Sequence, residues 1–185
     1  YEYSRDARLL PACWRTENDG CRAHFHSSIE IVYVTHGELK ATLNGIPYFV
    51  RAGQLLIVPS YTIHAYETER SSGSLILIFP LDFVSSCKPL LMKKTFASYI
   101  LDDPVVQQEL LHTIESVERL LAEDVSPCGK LTVKGYLYVL LGLLIERVGL
   151  ADQIDNAMTA KAQEVLLYLQ EHCLEPLTLE AAAQH

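Results

Sequence analysis

The chain is predicted to be a small antiparallel β-barrel followed by α-helices, and three observations predict it. Up to about Pro80 the apolar residues come in short or alternating runs broken by Gly, Pro and Asn, the signature of many short strands. Beyond about Asp103 the apolar spacing lengthens from two to three and four, the period of a helix. Hydrophobic residues make up 49% and charged residues 21% of the 185, the balance of an ordinary globular protein with a real core.

Residues 30–35 predict a strand ended by a turn at His36-Gly37. Residues 38–43 and 46–51 flank Asn44-Gly45, a strong hairpin signal because a type I′ turn needs positive φ at both central positions. Ala52-Gly53 predicts a further turn. Residues 55–58 form a continuous apolar strand stopped by Pro59, and residues 74–79 a second stopped by Pro80. Residues 81–103 read as a connector.

Val106, Leu110, Ile114, Val117 and Leu121 then mark one face of an amphipathic helix. Asp103 caps it and Pro104 suits its first turn. Ser126-Pro127-Cys128-Gly129 breaks the pattern, and a second helix is expected over about residues 131–148, with Gly149 as its C′ residue. Gly135 and Gly142 lie seven apart on one face of it; each costs about 1 kcal/mol against alanine, which a close helix contact could offset. Two readings stand. The helix packs on the barrel of a monomer, or it pairs with a second chain through Leu137, Leu140, Leu141 and Leu144. The homodimer is favoured, because the two helices carry more apolar surface than one barrel wall needs.

The formal net charge of -8 argues against the chain gripping nucleic acid by itself, since phosphate binding needs clustered Lys and Arg. The five cysteines are scattered, with no close pair of zinc-site or redox type, and read as free thiols of a cytoplasmic protein. The first residues show no signal-peptide pattern. The most apolar run, residues 136–145, is well short of the roughly 20 residues a bilayer requires, so no membrane partner is expected.

The chemistry concentrates in His24, His26, Glu30 and His64. In an extended segment His24, His26 and Glu30, all even positions, point to one side, while Phe25, Ile29 and Ile31 point to the other. His64 joins them only if its strand lies alongside, which a closed antiparallel barrel supplies. Imidazole and carboxylate together suit divalent transition metals and leave coordination positions open for water or a ligand. The other reading is a metal-free site whose polar groups hydrogen-bond each other and water. His36, His112, His172 and His185 read as ordinary surface or core histidines.

His24-x-His26, three residues, Glu30, six residues and Gly37 resemble the first cupin motif, and Gly53, five residues, Pro59 and then His64 resemble the second. Gly20 lies nearer His24 than the motif expects, Tyr61 stands where a glycine is usual, and Thr68 replaces the usual asparagine. The resemblance implies a mainly β jelly-roll barrel, a double-stranded β-helix, followed by α-helices. It places His24, His26, Glu30 and His64 inside the barrel as ligands for a divalent metal such as Zn, Ni, Mn or Fe.

Ala162, Val165, Leu166, Leu169 and Cys173 mark a later helix face, and Pro176-Leu177-Thr178-Leu179-Glu180 with Ala181-Ala182-Ala183 opens another helix capped by Thr178. A cupin, two helices and this ending resemble an AraC-type transcription regulator cut within its first helix-turn-helix. The resemblance implies a cupin effector-binding barrel over 1–95, a helical dimerisation region over 96–150, and a linker with the start of a DNA-binding domain over 151–185. It further implies a small effector such as a sugar or other metabolite, and DNA contact only through a C-terminal part beyond His185. No enzymatic activity is expected on this reading; the alternative is a metal-dependent cupin enzyme, a dioxygenase or isomerase. Trp14, Tyr33, Tyr48 and Tyr66 are candidates to stack on the effector, and Arg15 or Arg22 to pair an acid.

Overall fold

Residues of period two alternate between two environments because the two faces of one wall of the barrel meet different cores. The computed structural model describes residues 10–122 and 126–152, together with Tyr168 and Thr178. In chain order the strands are β1 (Ala12–Glu17), β2 (Cys21–His24), β3 (Ser28–Leu43), β4 (Ile46–Arg51), β5 (Leu55–Val58), β6 (His64–Glu67), β7 (Ser72–Pro80), β8 (Lys94–Phe96), β9 (Ile100–Leu101) and β10 (Leu150–Asp152). The helices are the short α1 (Lys88–Leu91), α2 (Pro104–Leu121) and α3 (Pro127–Val148), with a 3₁₀ turn at Leu81–Val84. The first half of β3 pairs with β7 and β5, and its second half with β4 and β6, every pairing antiparallel. Strand β1 extends the first wall beyond β7, and β2 extends the second beyond β6.

The turn expected at His36-Gly37 does not end the strand. The chain runs on through a register shift between Val34 and His36, a bulge that passes β3 from one wall to the other. Gly37 takes φ 70°, and a Cβ on it would lie 1.9 Å from the carbonyl oxygen of Ser71. That close crossing is secured by Glu38 N donating to Ser71 O and Ala52 N donating to Gly37 O. The hairpin at Asn44-Gly45 forms as its composition predicts, with φ of 48° and 83°.

Asp103 caps α2 by accepting from the Val105 amide at 3.0 Å. The segment 126–129, read as a break, is the start of α3: Ser126 Oγ accepts from the Gly129 amide, and Pro127 occupies the first helical position. Gly149 ends the helix at φ 73°, as expected. The connector holds more order than its composition suggests, since β8, β9, α1 and the 3₁₀ turn all lie within residues 81–103.

The two faces of β3 belong to two cores. Odd residues Ile29, Ile31 and Tyr33 join Leu75, Leu77 and Phe79 beneath the helices, against Val106, Leu110 and Ile114 of α2. Even residues Val32 and Val34 face the barrel lumen with Leu56, Val58, Ile76 and Ile78. The helices therefore complete the barrel's outer core rather than form a body of their own, so the expected division at residue 95 is corrected. The chain clusters instead into two units, Tyr1–Ala151 and Asp152–His185, with the barrel and both long helices in the first.

The assignment of Leu137, Leu140, Leu141 and Leu144 to a dimer interface is likewise corrected. Their exposures are 0%, 0%, 1% and 0% within the single chain, because they lie in the core shared by α2, α3 and the sheet. By length and composition α3 is apolar enough to cross a membrane, more so than residues 136–145 suggest. These four leucines with Val133 identify one side of it as a core helix. The helix and helix-turn-helix start read from Ala162 to Ala183 lie outside the described residues, apart from Tyr168 and Thr178.

Candidate functional site

His24 ends β2 and His64 begins β6, and the two are direct register partners in the antiparallel pair. His26 lies on the link to β3, and Glu30 follows two residues into that strand. The segment expected to run extended from His24 to Glu30 is instead broken by a link at 25–27, and closure of the barrel brings together the four residues singled out above. The ring centroids of His24 and His64 are 4.2 Å apart, and those of His26 and His64 are 5.0 Å apart. His26, Glu30 and His64 are buried, while His24 is half-buried.

Each imidazole is oriented by a backbone carbonyl. His24 Nδ1 donates to Arg22 O at 2.9 Å, His26 Nδ1 to Ser28 O at 3.1 Å, and His64 Nδ1 to Thr62 O at 2.9 Å. A carbonyl oxygen can only accept, so these contacts place a proton on every Nδ1; the Nε2 atoms of His26 and His64 face Glu30 Oε2, donating to it when protonated and offering a lone pair to a ligand when not. One ring nitrogen from each of the three histidines lies within 4.8 Å of the other two. This is how metal-binding histidines are held in place by their outer hydrogen bonds. The donor set fits a divalent transition ion, which would supply open coordination positions for an oxygen ligand.

Glu30 stands differently. Its Oε1 accepts from the Tyr66 hydroxyl at 2.6 Å, and its Oε2 lies 3.2 Å from His26 Nε2 and 3.7 Å from His64 Nε2. Burial alone would raise the Glu30 carboxyl, but hydrogen bonds from His26, His64 and Tyr66, with the nearby charge of His64, hold it well below the usual carboxylate range. Burial and the adjoining Glu30 charge push the Tyr66 phenol well above its ordinary value. The pair is therefore a neutral phenol donating to a carboxylate, a charge-assisted hydrogen bond worth about 1.5–3 kcal/mol.

The aromatic candidates separate by strand parity. Trp14 and Tyr48 are half-buried against the lumen cluster, and Tyr66 is buried within it. Tyr33 faces the other way, into the core beneath the helices beside Gln107 and Leu110, and is corrected as an effector contact. Arg15 is also turned away, bound to Glu118 and Glu115 of α2 at 2.9–3.0 Å. Arg22 is exposed, and its carbonyl accepts from His24 Nδ1. Tyr99 was not foreseen: it stacks edge-on against Tyr48 at 5.9 Å from within the connector, whose composition carries no strand signal. Cys21, which also borders the lumen, stands opposite Tyr66 in the β2–β6 register.

Two of the three departures from the cupin motif, Tyr61 and Thr68, have a local account. Tyr61 occupies the left-handed region at φ 61°, the conformation for which glycine is preferred, in a turn closed by Thr62 N donating to Pro59 O. Its amide also donates to His26 O at 2.8 Å, tying the His64 turn to the His26 link. Thr68 Oγ1 donates to Asp19 O and meets Ser72 Oγ at 2.6 Å, so it joins the β1–β2 and β6–β7 loops.

Residues 9–141 match the AraC-like ligand binding domain family over most of the chain. The chain belongs to that family. No curated protein matches it. Among solved structures it is similar to apo ToxT K231A from Vibrio cholerae strain SCE256, with a TM-score of 0.58 at 10% identity, covering 96% of this chain and 70% of that one. An RmlC-like cupin from Shewanella frigidimarina NCIMB 400 gives a TM-score of 0.36 at 17% identity, covering 39% of this chain and 68% of that one. As in that family, a ligand-binding domain is the function class of the barrel, and the AraC-like assignment points to regulation rather than catalysis.

Proposed function

We propose that this AraC-like domain is the effector-sensing and dimerising part of a cytoplasmic, sequence-specific DNA-binding transcription regulator. The observation that carries the reading is a buried polar cluster, His26, Glu30, His64 and Tyr66, opening through half-buried His24 inside a barrel of a ligand-binding family. Buried polar groups in that number cost stability unless they serve a ligand or each other. A small metabolite such as a sugar would bind there, with Trp14 and Tyr48 beside the lumen supplying apolar faces. DNA contact belongs to the helix-turn-helix region that Thr178 is read to open. Binding would shift the population between two arrangements of barrel and helices, and so the freedom of the DNA-binding halves.

The test is a regulator carrying His26→Ala and His64→Ala together, assayed by a metabolite-screened reporter and by light scattering. The response is expected to be lost and the dimer kept; a normal response would remove the cluster from sensing. A metal-dependent enzyme is the second reading, favoured by the three convergent histidines alone. Substrate turnover that disappears on chelation would establish it.

The dimer surface we propose is the outer face of α3. Leu131 and Val139 are 72% and 50% exposed there, and Gly135 and Gly142 alternate with them. A Cβ on either glycine would meet nothing within 4 Å, so neither is needed by this chain's own packing. Two such faces can approach closely, as small residues permit. Val139→Arg is expected to give a monomer of native fold by light scattering and circular dichroism; an unchanged dimer would place the interface elsewhere.

A further inference from the structure

Tyr99 is packed against the lumen cluster on one side and against the core beneath the helices on the other, and among the described residues it alone borders both. In the lumen it meets Tyr48 edge-on, with ring centroids 5.9 Å apart. Its backbone is fixed to the first wall: Ile57 N donates to Tyr99 O at 2.8 Å, and Ile100 and Leu101 continue as β9 along β5. Just before it, Ser98 Oγ donates to Ile100 O at 2.8 Å and accepts from Ile100 N at 3.3 Å, a brace that holds 98–100 as one piece. Ala97 N then donates to the carbonyl of Gly149, the residue that ends α3, at 3.1 Å. Strand β8, directly ahead of Ala97, forms a two-stranded sheet with β10, and Phe96 and Leu150 share the core beneath the helices.

We infer that residues 96–101 are the relay by which occupancy of the lumen reaches the end of α3, with Tyr99 as the ligand-facing end and the Ala97 amide as the output. The inference rests on the lumen being the effector site proposed above, and names the route its signal takes. A flat ligand that stacks on Tyr48 competes with the Tyr99 ring for the same partner, so binding and the Tyr48–Tyr99 contact are alternatives. The Ser98 brace joins Tyr99 to Ala97 without a slack turn, so a shift of the ring is passed along the backbone instead of being absorbed. At the output, Gly149 holds φ 73°, a conformation specific to this helix end, and its carbonyl is the acceptor that the Ala97 amide secures. The chain leaves the barrel unit after Ala151, directly past this contact. Occupancy thus biases a helix end that has two states, held and released.

The relay is tested on the whole chain by amide hydrogen exchange, read by mass spectrometry over residues 94–101, 148–151 and 72–80. Tyr48→Ala removes the lumen partner of Tyr99 from a strand that does not touch the end of α3 in sequence or sheet. Exchange over 148–151 is expected to rise about 2–10-fold, the equivalent of one aromatic pair, while β7 at 72–80 keeps its wild-type rate. Phe49→Ala, on the exposed side of the same strand, is expected to leave 148–151 unchanged. Ser98→Ala, at an exposed position, removes the brace; in that background Tyr48→Ala is expected to add nothing over 148–151. An unchanged rate over 148–151 in Tyr48→Ala would overturn the relay, as would an equal rise in β7, which marks global loosening. A full response to Tyr48→Ala without the Ser98 brace would overturn the route through 97–99. Either failure, in a regulator whose reporter still responds to its metabolite, would leave the sensing function standing.

Discussion

Replacing Gly37 by alanine is expected to cost about 3 kcal/mol or more of folding stability. Two effects combine there. The residue sits at φ 70°, where an L side chain costs about 1–2 kcal/mol. The new Cβ would also fall 1.9 Å from Ser71 O, a backbone atom held by the Glu38 amide and unable to turn aside. Loss on this scale is a large share of the roughly 5–15 kcal/mol that stabilises a typical domain. Gly45→Ala separates the causes, since Gly45 has φ 83° and nothing within 4 Å of a Cβ. Urea denaturation should show about 1–2 kcal/mol lost at Gly45 and clearly more at Gly37. Equal losses would mean that the β3 crossing tolerates the methyl group and that the bulge is not what joins the walls.

Leu140→Ala is expected to lower stability by about 3–5 kcal/mol, the cost of an unfilled cavity in a closed core. Leu140 is 0% exposed among residues of its own chain, in the cluster that includes Leu110 and Ile114 of α2. The measurement is best made twice, in the wild-type chain and in Val139→Arg, where a partner helix is excluded by charge. The same loss in both backgrounds assigns the leucine to the intrachain core. A loss that vanished in the Val139→Arg background would return Leu140 to the interface.

The histidine cluster was legible in its spacing, but not for the reason of one extended segment: His24 ends β2, His26 lies on the link, and only Glu30 follows the parity of β3, while the barrel brings His64 next to His24. The same rule places Tyr33 on the outer face with Ile29 and Ile31, and only a count of register from Glu30 would have excluded it from the lumen. The pairing of Glu30 with Tyr66 was not legible. Glu30 matches a ligand position in spacing, but Tyr66, thirty-six residues away, captures one of its oxygens. Arg15 carried no sequence mark of Glu115 and Glu118, which meet it from a helix one hundred residues on.

Helix α3 draws the same line in apolar terms. Its composition announced a helix with more apolar surface than one wall uses, and that surplus is present on Leu131 and Val139. Which leucines fill the core depends on the rotation of α3 against α2, and a helix apolar around most of its circumference has no periodic signal to set that rotation. Local chemistry, in caps, glycines, hairpin pairs and strand parity, was enough for the order of elements, the β-to-α change and the four polar residues of the lumen. Contacts between distant segments settled the rest: the passage of β3 through both walls, the inward face of α3, and the Tyr66 hydroxyl that binds one Glu30 oxygen while the other faces His26 and His64. Those choices are made by burial and hydrogen-bond pairing between residues far apart in the chain, which no local pattern encodes.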